Sequence, residues 1–143
     1  MKTIMCCLAM VAMTVFPSLA FAQEPMLKSV EAKFDTTTNN KKQDAKLDVC
    51  LKNRDGQEVG KSEGNEGLWE KHSTHTVILR LEGDHAKAEV EHGSVSLTFH
   101  PNGGDTWKFN YQVTLKFSDD SSITKEVFGN VLTQYNTART DPL

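Results

Sequence analysis

The sequence predicts an all-β protein, an antiparallel β-sandwich of about seven or eight strands in a single domain. Three observations carry this. The run Trp107-Lys108-Phe109-Asn110-Tyr111-Gln112-Val113-Thr114-Leu115-Lys116-Phe117 is aromatic or aliphatic at every odd position and polar at every even one. A strand sends successive side chains to opposite faces, so this run has one apolar face that a second layer must cover. Shorter alternating runs recur along the chain, separated by polar or glycine-containing turns at sandwich-like spacing. Little of the remainder carries a helical period.

The elements follow in order. Lys2 is the only charge before Glu24, Ile4 to Leu19 is mostly apolar, and Ala20-Phe21-Ala22 has the small-x-small pattern of a cleavage site. Residues 1–22 therefore read as a signal peptide, and the mature chain as exported, periplasmic or secreted. The apolar run falls short of the ~20 residues that span a bilayer. Residues 23–28 form a leader, 29–134 the sandwich domain, and 135–143 a flexible tail.

Val30, Ala32 and Phe34 mark a first strand. Asp35 to Asp44 is wholly polar and reads as a loop. Ala45 to Lys52 is the second strand, closed by the turn Asn53-Arg54-Asp55-Gly56. Gln57 to Gly67, with three glycines among acids, reads as a surface loop, and Leu68-Trp69 as a brief apolar island. Thr74 to Leu81 is the third strand. Gly83 to Gly93 fits either one helical turn or a short edge strand. Ser94 to Phe99 alternates again, and Pro101 to Asp105 is a loop before the long strand. Ser118 to Ser122 turns the chain, Ile123 to Phe128 returns as a hairpin partner, Gly129-Asn130 breaks it, and Val131-Leu132 gives a last short strand. The expected interior is Val30, Phe34, Leu47, Val49, Leu51, Val77, Leu79, Val95, Leu97, Phe109, Tyr111, Val113, Leu115 and Val127.

The formal charge of −3 over 143 residues argues against nucleic acid, which selects basic patches. Cys6 and Cys7 fall within the signal peptide, so Cys50 is left alone and no internal disulfide forms. Cys50 shares a face with Asp48 and Lys52, opposite Leu47, Val49 and Leu51. An accessible thiol there would permit a disulfide-linked dimer; the alternative is a packed, inert thiol under a neighbouring strand or loop.

Candidate sites are few. Calcium takes six to eight oxygen ligands. Asp35, Asp44, Asn102, Asp105, Asp119 and Asp120 supply such oxygens from loops, although the same residue types also build turns. His72 and His75 point to opposite faces of an extended segment, and Cys50 is the sole sulfur donor for any zinc site. Gly-x-Ser-x-Gly, His-Glu-x-x-His and a glycine-rich phosphate loop are all missing, so the chain reads as non-catalytic. Trp69, among glycines, is a candidate anchor for a lipid, a sugar ring or a protein. Trp107, at the entry of the long strand, reads as a core or rim residue. With His72 and His75, the two tryptophans form the candidate contact set.

Three segments carry a family resemblance. Asp44-Ala45-Lys46-Leu47-Asp48-Val49-Cys50-Leu51 is an acidic-then-alternating second strand. Trp69 is followed by the polar run Lys71 to Thr76 and then Val77-Ile78-Leu79. Asn102 to Trp107 leads into the long strand. Over Ser29 to about Gln134 this order resembles PLAT domains, also called lipoxygenase-homology or LH2 domains, which are eight-stranded β-sandwiches. In place of the family's glycine-rich acidic loop this chain has Thr36-Thr37-Thr38-Asn39-Asn40. The resemblance implies a lipid- or protein-docking module that makes contact through loops at one end, with calcium as a possible cofactor. The expectation is an exported, non-catalytic binding module. The alternative is a periplasmic or secreted protein-binding inhibitor or immunity-type factor that acts through a sheet face.

Overall fold

A computed structural model describes residues 21–143; residues 1–20 of the expected 1–22 signal peptide, Cys6 and Cys7 among them, lie outside the described residues. Eight strands follow one another: β1 (Leu27–Thr36), β2 (Lys46–Lys52), β3 (Glu58–Asn65), β4 (Thr74–Leu81), β5 (Ser94–His100), β6 (Thr106–Phe117), β7 (Ser122–Thr133) and β8 (Ala138–Pro142). One short helix, α1 (Lys87–Val90), interrupts them, so Gly83 to Gly93 takes the helical alternative. All the pairings are antiparallel, in the order β7-β6-β1-β4-β3-β2-β5-β8.

The fold is all-β as expected, but the strands form one continuous sheet that folds over on itself like an incompletely closed barrel. β3 and β4 are joined by only two register pairs, Gly60↔Leu81 and Lys61↔Arg80. The halves on either side of this seam turn their apolar faces toward each other. Gly60 lets the strands approach closely at the crossing: a Cβ there would lie 3.0 Å from Leu81 Cδ2 and 3.1 Å from the Arg80 carbonyl oxygen.

The alternation in the sequence sets the core. Every residue of the expected interior is buried, joined by Trp69, Phe99, Trp107 and Leu132. Phe34 is central to the aromatic part, with ring centroids 5.5 Å from Trp69, 5.7 Å from Trp107, 5.9 Å from Phe109 and 5.7 Å from Tyr111. The Trp107 indole N–H donates to Thr36 Oγ1 at 3.1 Å, so the buried ring leaves no unpaired donor.

Three segments differ from expectation. Ser122–Thr133 runs as one strand through the expected break at Gly129-Asn130, where Gly129 takes a φ of 68° without ending the ladder with β6. Glu58–Asn65 is a strand and not a surface loop, because its backbone ladder with β2 needs no apolar side chains. The C-terminal segment is no flexible tail. Ala138–Pro142 pairs with β5, and Asp141 ties it to the centre of the fold. The Tyr111 hydroxyl donates to Asp141 Oδ2 at 2.6 Å, and Arg139 donates to the two carboxylate oxygens at 2.6 and 2.7 Å. Burial pushes the Asp141 carboxyl up, but Arg139 and Tyr111 together hold it below the usual range. Burial, and then Asp141, push the Tyr111 hydroxyl far above its ordinary value.

Candidate functional site

Because neighbouring strands run antiparallel, the connections segregate to two ends of the sheet. The β1–β2, β3–β4, β5–β6 and β7–β8 connections share one end, called here the loop end. The β2–β3, β4–β5 and β6–β7 connections share the other. This segregation decides the fate of the expected calcium ligands. Asp44, Asn102 and Asp105 lie at the loop end, while Asp119 and Asp120 sit at the far tip of β6. That strand has 12 residues, so the groups are separated by ~35 Å of extended chain. Asp35 lies on β1, where its carboxylate accepts from Thr74 Oγ1 at 2.6 Å. The six do not form one site.

At the loop end the corner is already occupied by a cation belonging to the chain. Lys41 is fully buried, although it sits in a segment that reads as a polar loop. Its ammonium donates to the carbonyl oxygens of Ala45 at 2.6 Å and Gly67 at 2.8 Å, and lies 4.9 Å from the Trp69 ring centroid. Burial lowers its pKa from 10.5 to about 8, opposed by Asp105, Glu66 and Asp44. Asp44 accepts from the Asn102 side-chain amide, and Asp105 from the Lys42 backbone N–H at 3.3 Å. Two backbone carbonyls that a metal would need are therefore taken by an ammonium, and the nearby side chains are engaged with one another. Among the described residues no group of three or more His, Cys, Asp or Glu is arranged to hold a metal ion. This donor set does not fit a calcium ion, which demands more oxygens than remain.

Lys41 also explains Trp69. The two residues exchange backbone hydrogen bonds of 3.0 Å in both directions, an isolated bridge across the open end of the sheet. The bridge draws the indole inward, leaving it 4% exposed and packed on Phe34. His75 stacks on the same ring at 4.8 Å with 8° between the planes. Burial, and then Lys41, lower the pKa of His75. Neither Trp69 nor Trp107 reaches the surface, so neither is a contact residue in this fold; both are needed to fill the end of the core. His75 caps that core. His72 is exposed, in a left-handed backbone conformation at φ 64°.

Above this plug lies a recess of about 580 Å³, lined by Thr38, Asn39, Asn40, Lys42, Leu68, Lys71, Gly104, Asp105 and Thr106. Three loops contribute, and Asp105 is the one member of the expected site set that lines it. Asn40 fixes the loops together, its Oδ1 accepting from the Lys71 backbone N–H at 2.6 Å. Lys42 Nζ donates to the Gly104 carbonyl at 3.3 Å. Leu68 lines the recess and is exposed; at the same end of the fold Val131 is exposed and Tyr135 is 90% exposed. Sequence reasoning passed over Lys42 and Lys71 because nothing in a polar loop marks the residues that a distant loop will meet.

Cys50 sits on the outer face of β2, half-buried, in a recess of about 240 Å³ with Glu58, Lys61 and Ser96 among its neighbours. Burial pushes the thiol up to about 11, reinforced by Glu58, whose Oε2 lies 3.5 Å from Sγ. At neutral pH this thiol is protonated and a poor nucleophile.

No protein-family model matches the chain, and no curated protein sequence matches it.

Proposed function

We propose that the protein is an exported, non-catalytic binding module of PLAT-like type that docks through its loop end, onto a lipid surface in the first place. The carrying observation is the convergence of three loops on a recess with two lysines in its wall. Leu68, Val131 and Tyr135 are apolar prongs at the same end. Lysines beside exposed apolar side chains suit the boundary between headgroups and acyl chains, where both are accommodated. The Lys41 ammonium occupies the corner that a cation would take, and the expectation is docking without calcium.

Flotation of the 23–143 chain with mixed-lipid vesicles tests the reading. Binding is expected in calcium and in chelator alike, weakened by Leu68→Ser with Tyr135→Ser. No flotation in either condition removes the lipid role.

One observation favours the second reading, a protein-binding inhibitor that uses a sheet face. Ile78 and Phe128 are 71% and 69% exposed on the outer face of the β7-β6-β1-β4 half. That reading expects a stoichiometric protein complex lost in Ile78→Ser with Phe128→Ser; co-purification unchanged by those substitutions contradicts it.

A further inference from the structure

The loop-end recess has a chemical bias that deepens the docking proposal and rests on it. Two of its side-chain acceptors are engaged inside the protein. Asn40 Oδ1 accepts from the Lys71 N–H, so the Asn40 amide presents its NH2 group as its remaining hydrogen-bonding function. Asp105, buried to 3% exposure, spends Oδ2 on the Lys42 N–H. The acids nearby are also engaged: Asp44 by Asn102, and Glu66 by Lys46 at 2.9 Å.

The lysine donors are lightly engaged: Lys42 Nζ reaches only the Gly104 carbonyl, at 3.3 Å, while the Thr38 hydroxyl donates to Asn39 Oδ1 at 3.2 Å. Among the described residues, the ammonium groups of Lys42 and Lys71 are in no ion pair. They enter the wall from different loops, with the Asn40 amide and the hydroxyls of Thr38 and Thr106 in the same wall. The Lys41 ammonium lies beneath, its charge balanced by Asp105, Glu66 and Asp44. No arginine lines the recess, so the planar fork that matches a carboxylate is missing, whereas lysine acts as a point charge on phosphate.

We infer that the recess binds a phosphate group carried on a small hydroxylated body, held between Lys42 and Lys71 with the Asn40 amide as a further donor. A volume of about 580 Å³ admits more than a bare phosphate, and the threonine hydroxyls suit a polyol. Two sources share this chemistry: a phospholipid headgroup at a membrane surface, and a soluble phosphorylated polyol.

The test is a titration of the 23–143 chain with inorganic phosphate and with glycerol 3-phosphate, followed by amide NMR. Saturable shifts are expected at the Asn40 side chain and at the backbone amides of Lys42, Lys71, Gly104 and Asp105. Lys42→Gln and Lys71→Gln are each expected to weaken binding about fivefold or more, as for partly exposed charge pairs, and the double variant to abolish it. Lys116→Gln, on the far half of β6, leaves affinity unchanged. All three lysines are at the surface, and unchanged shifts elsewhere confirm that each variant folds.

Vesicles of phosphatidylglycerol and of phosphatidylcholine then separate the sources. Flotation with phosphatidylglycerol that the double variant loses assigns the site to a headgroup. Saturation by glycerol 3-phosphate without flotation assigns it to a soluble ligand. Non-saturating shifts spread over exposed lysines overturn the inference, as does equal affinity in the double variant. Docking at the loop end with no phosphate response overturns it while leaving the docking proposal standing. A saturable phosphate response with nothing docking there does the reverse.

Discussion

Lys41→Met removes the ammonium at the loop end while keeping most of the stem that packs on Trp69. In the wild type the ammonium satisfies the carbonyls of Ala45 and Gly67 at 2.6 and 2.8 Å. Leaving the buried Ala45 carbonyl and the part-buried Gly67 carbonyl unpaired costs up to about 6 kcal/mol in total. Against this, the variant no longer buries a charge. The fall in the Lys41 pKa from 10.5 to about 8 corresponds to about 3 kcal/mol against the charged form. The two effects nearly offset, so the net loss near pH 7 is modest, about 0–3 kcal/mol.

The pH dependence is sharper than the magnitude. Between pH 8 and 10.5 the unfolded chain holds the Lys41 proton more tightly than the folded one. Unfolding then takes up protons, and wild-type stability rises with pH through that window. The neutral amine still donates to both carbonyls. Methionine has no such dependence, so the stability gap between wild type and variant widens by about 3 kcal/mol from pH 7.5 to 10.5. Cys50 and Tyr111 titrate upward in both proteins and cancel in the difference. Urea unfolding of both proteins at closely spaced pH values measures the gap. A gap that stays flat across the window refutes the buried ammonium.

Further expectations follow from the same geometry. Trp69→Ala is expected to lose about 3–5 kcal/mol in denaturant unfolding, because the indole is 4% exposed and fills the end of the core. Gly93→Ala would put a Cβ 2.1 Å from the Lys52 carbonyl oxygen, a backbone clash that no rotamer relieves; thermal unfolding is expected to show a loss of about 2 kcal/mol or more. Tyr111→Phe removes the hydroxyl that anchors Asp141, so amide exchange over Ala138–Pro142 should accelerate while the β1–β6 ladder keeps its protection. The Cys50 thiol, pushed up to about 11, should react slowly with disulfide reagents at pH 7.5 and faster as the pH climbs, and the protein should migrate identically with and without reductant.

The strands that bury one face were legible because alternation records burial directly. β6 and the expected interior residues are placed by that signal alone. β3 and β8 were not, for a shared physical reason. Both are short on apolar residues and are held by backbone pairing or by a charged tie, Asp141 in the case of β8, whose partners lie far away in sequence. Trp69 read equally as a packed or a contact residue, because its neighbours are glycines and charges. Its burial depends on Lys41, 28 positions earlier, bridging to it across the mouth of the fold. Lys41 itself carries no local mark, since a lysine that caps backbone carbonyls has the same sequence signature as one in water. The loop end was foreseeable as a place where contacts converge. Which of its side chains would keep unspent donors depended on the hydrogen bonds of Asn40, Asp44 and Asp105.

The central claim is that binding takes place at the loop end. Hydrogen exchange of the 23–143 chain, with and without phosphatidylglycerol vesicles, tests it most directly. Added protection is expected in residues 37–45, 66–73, 101–105 and 134–137, with residues 53–57, 82–93 and 118–121 unchanged. Protection centred on the far end, or on the face that carries Ile78 and Phe128, would contradict it.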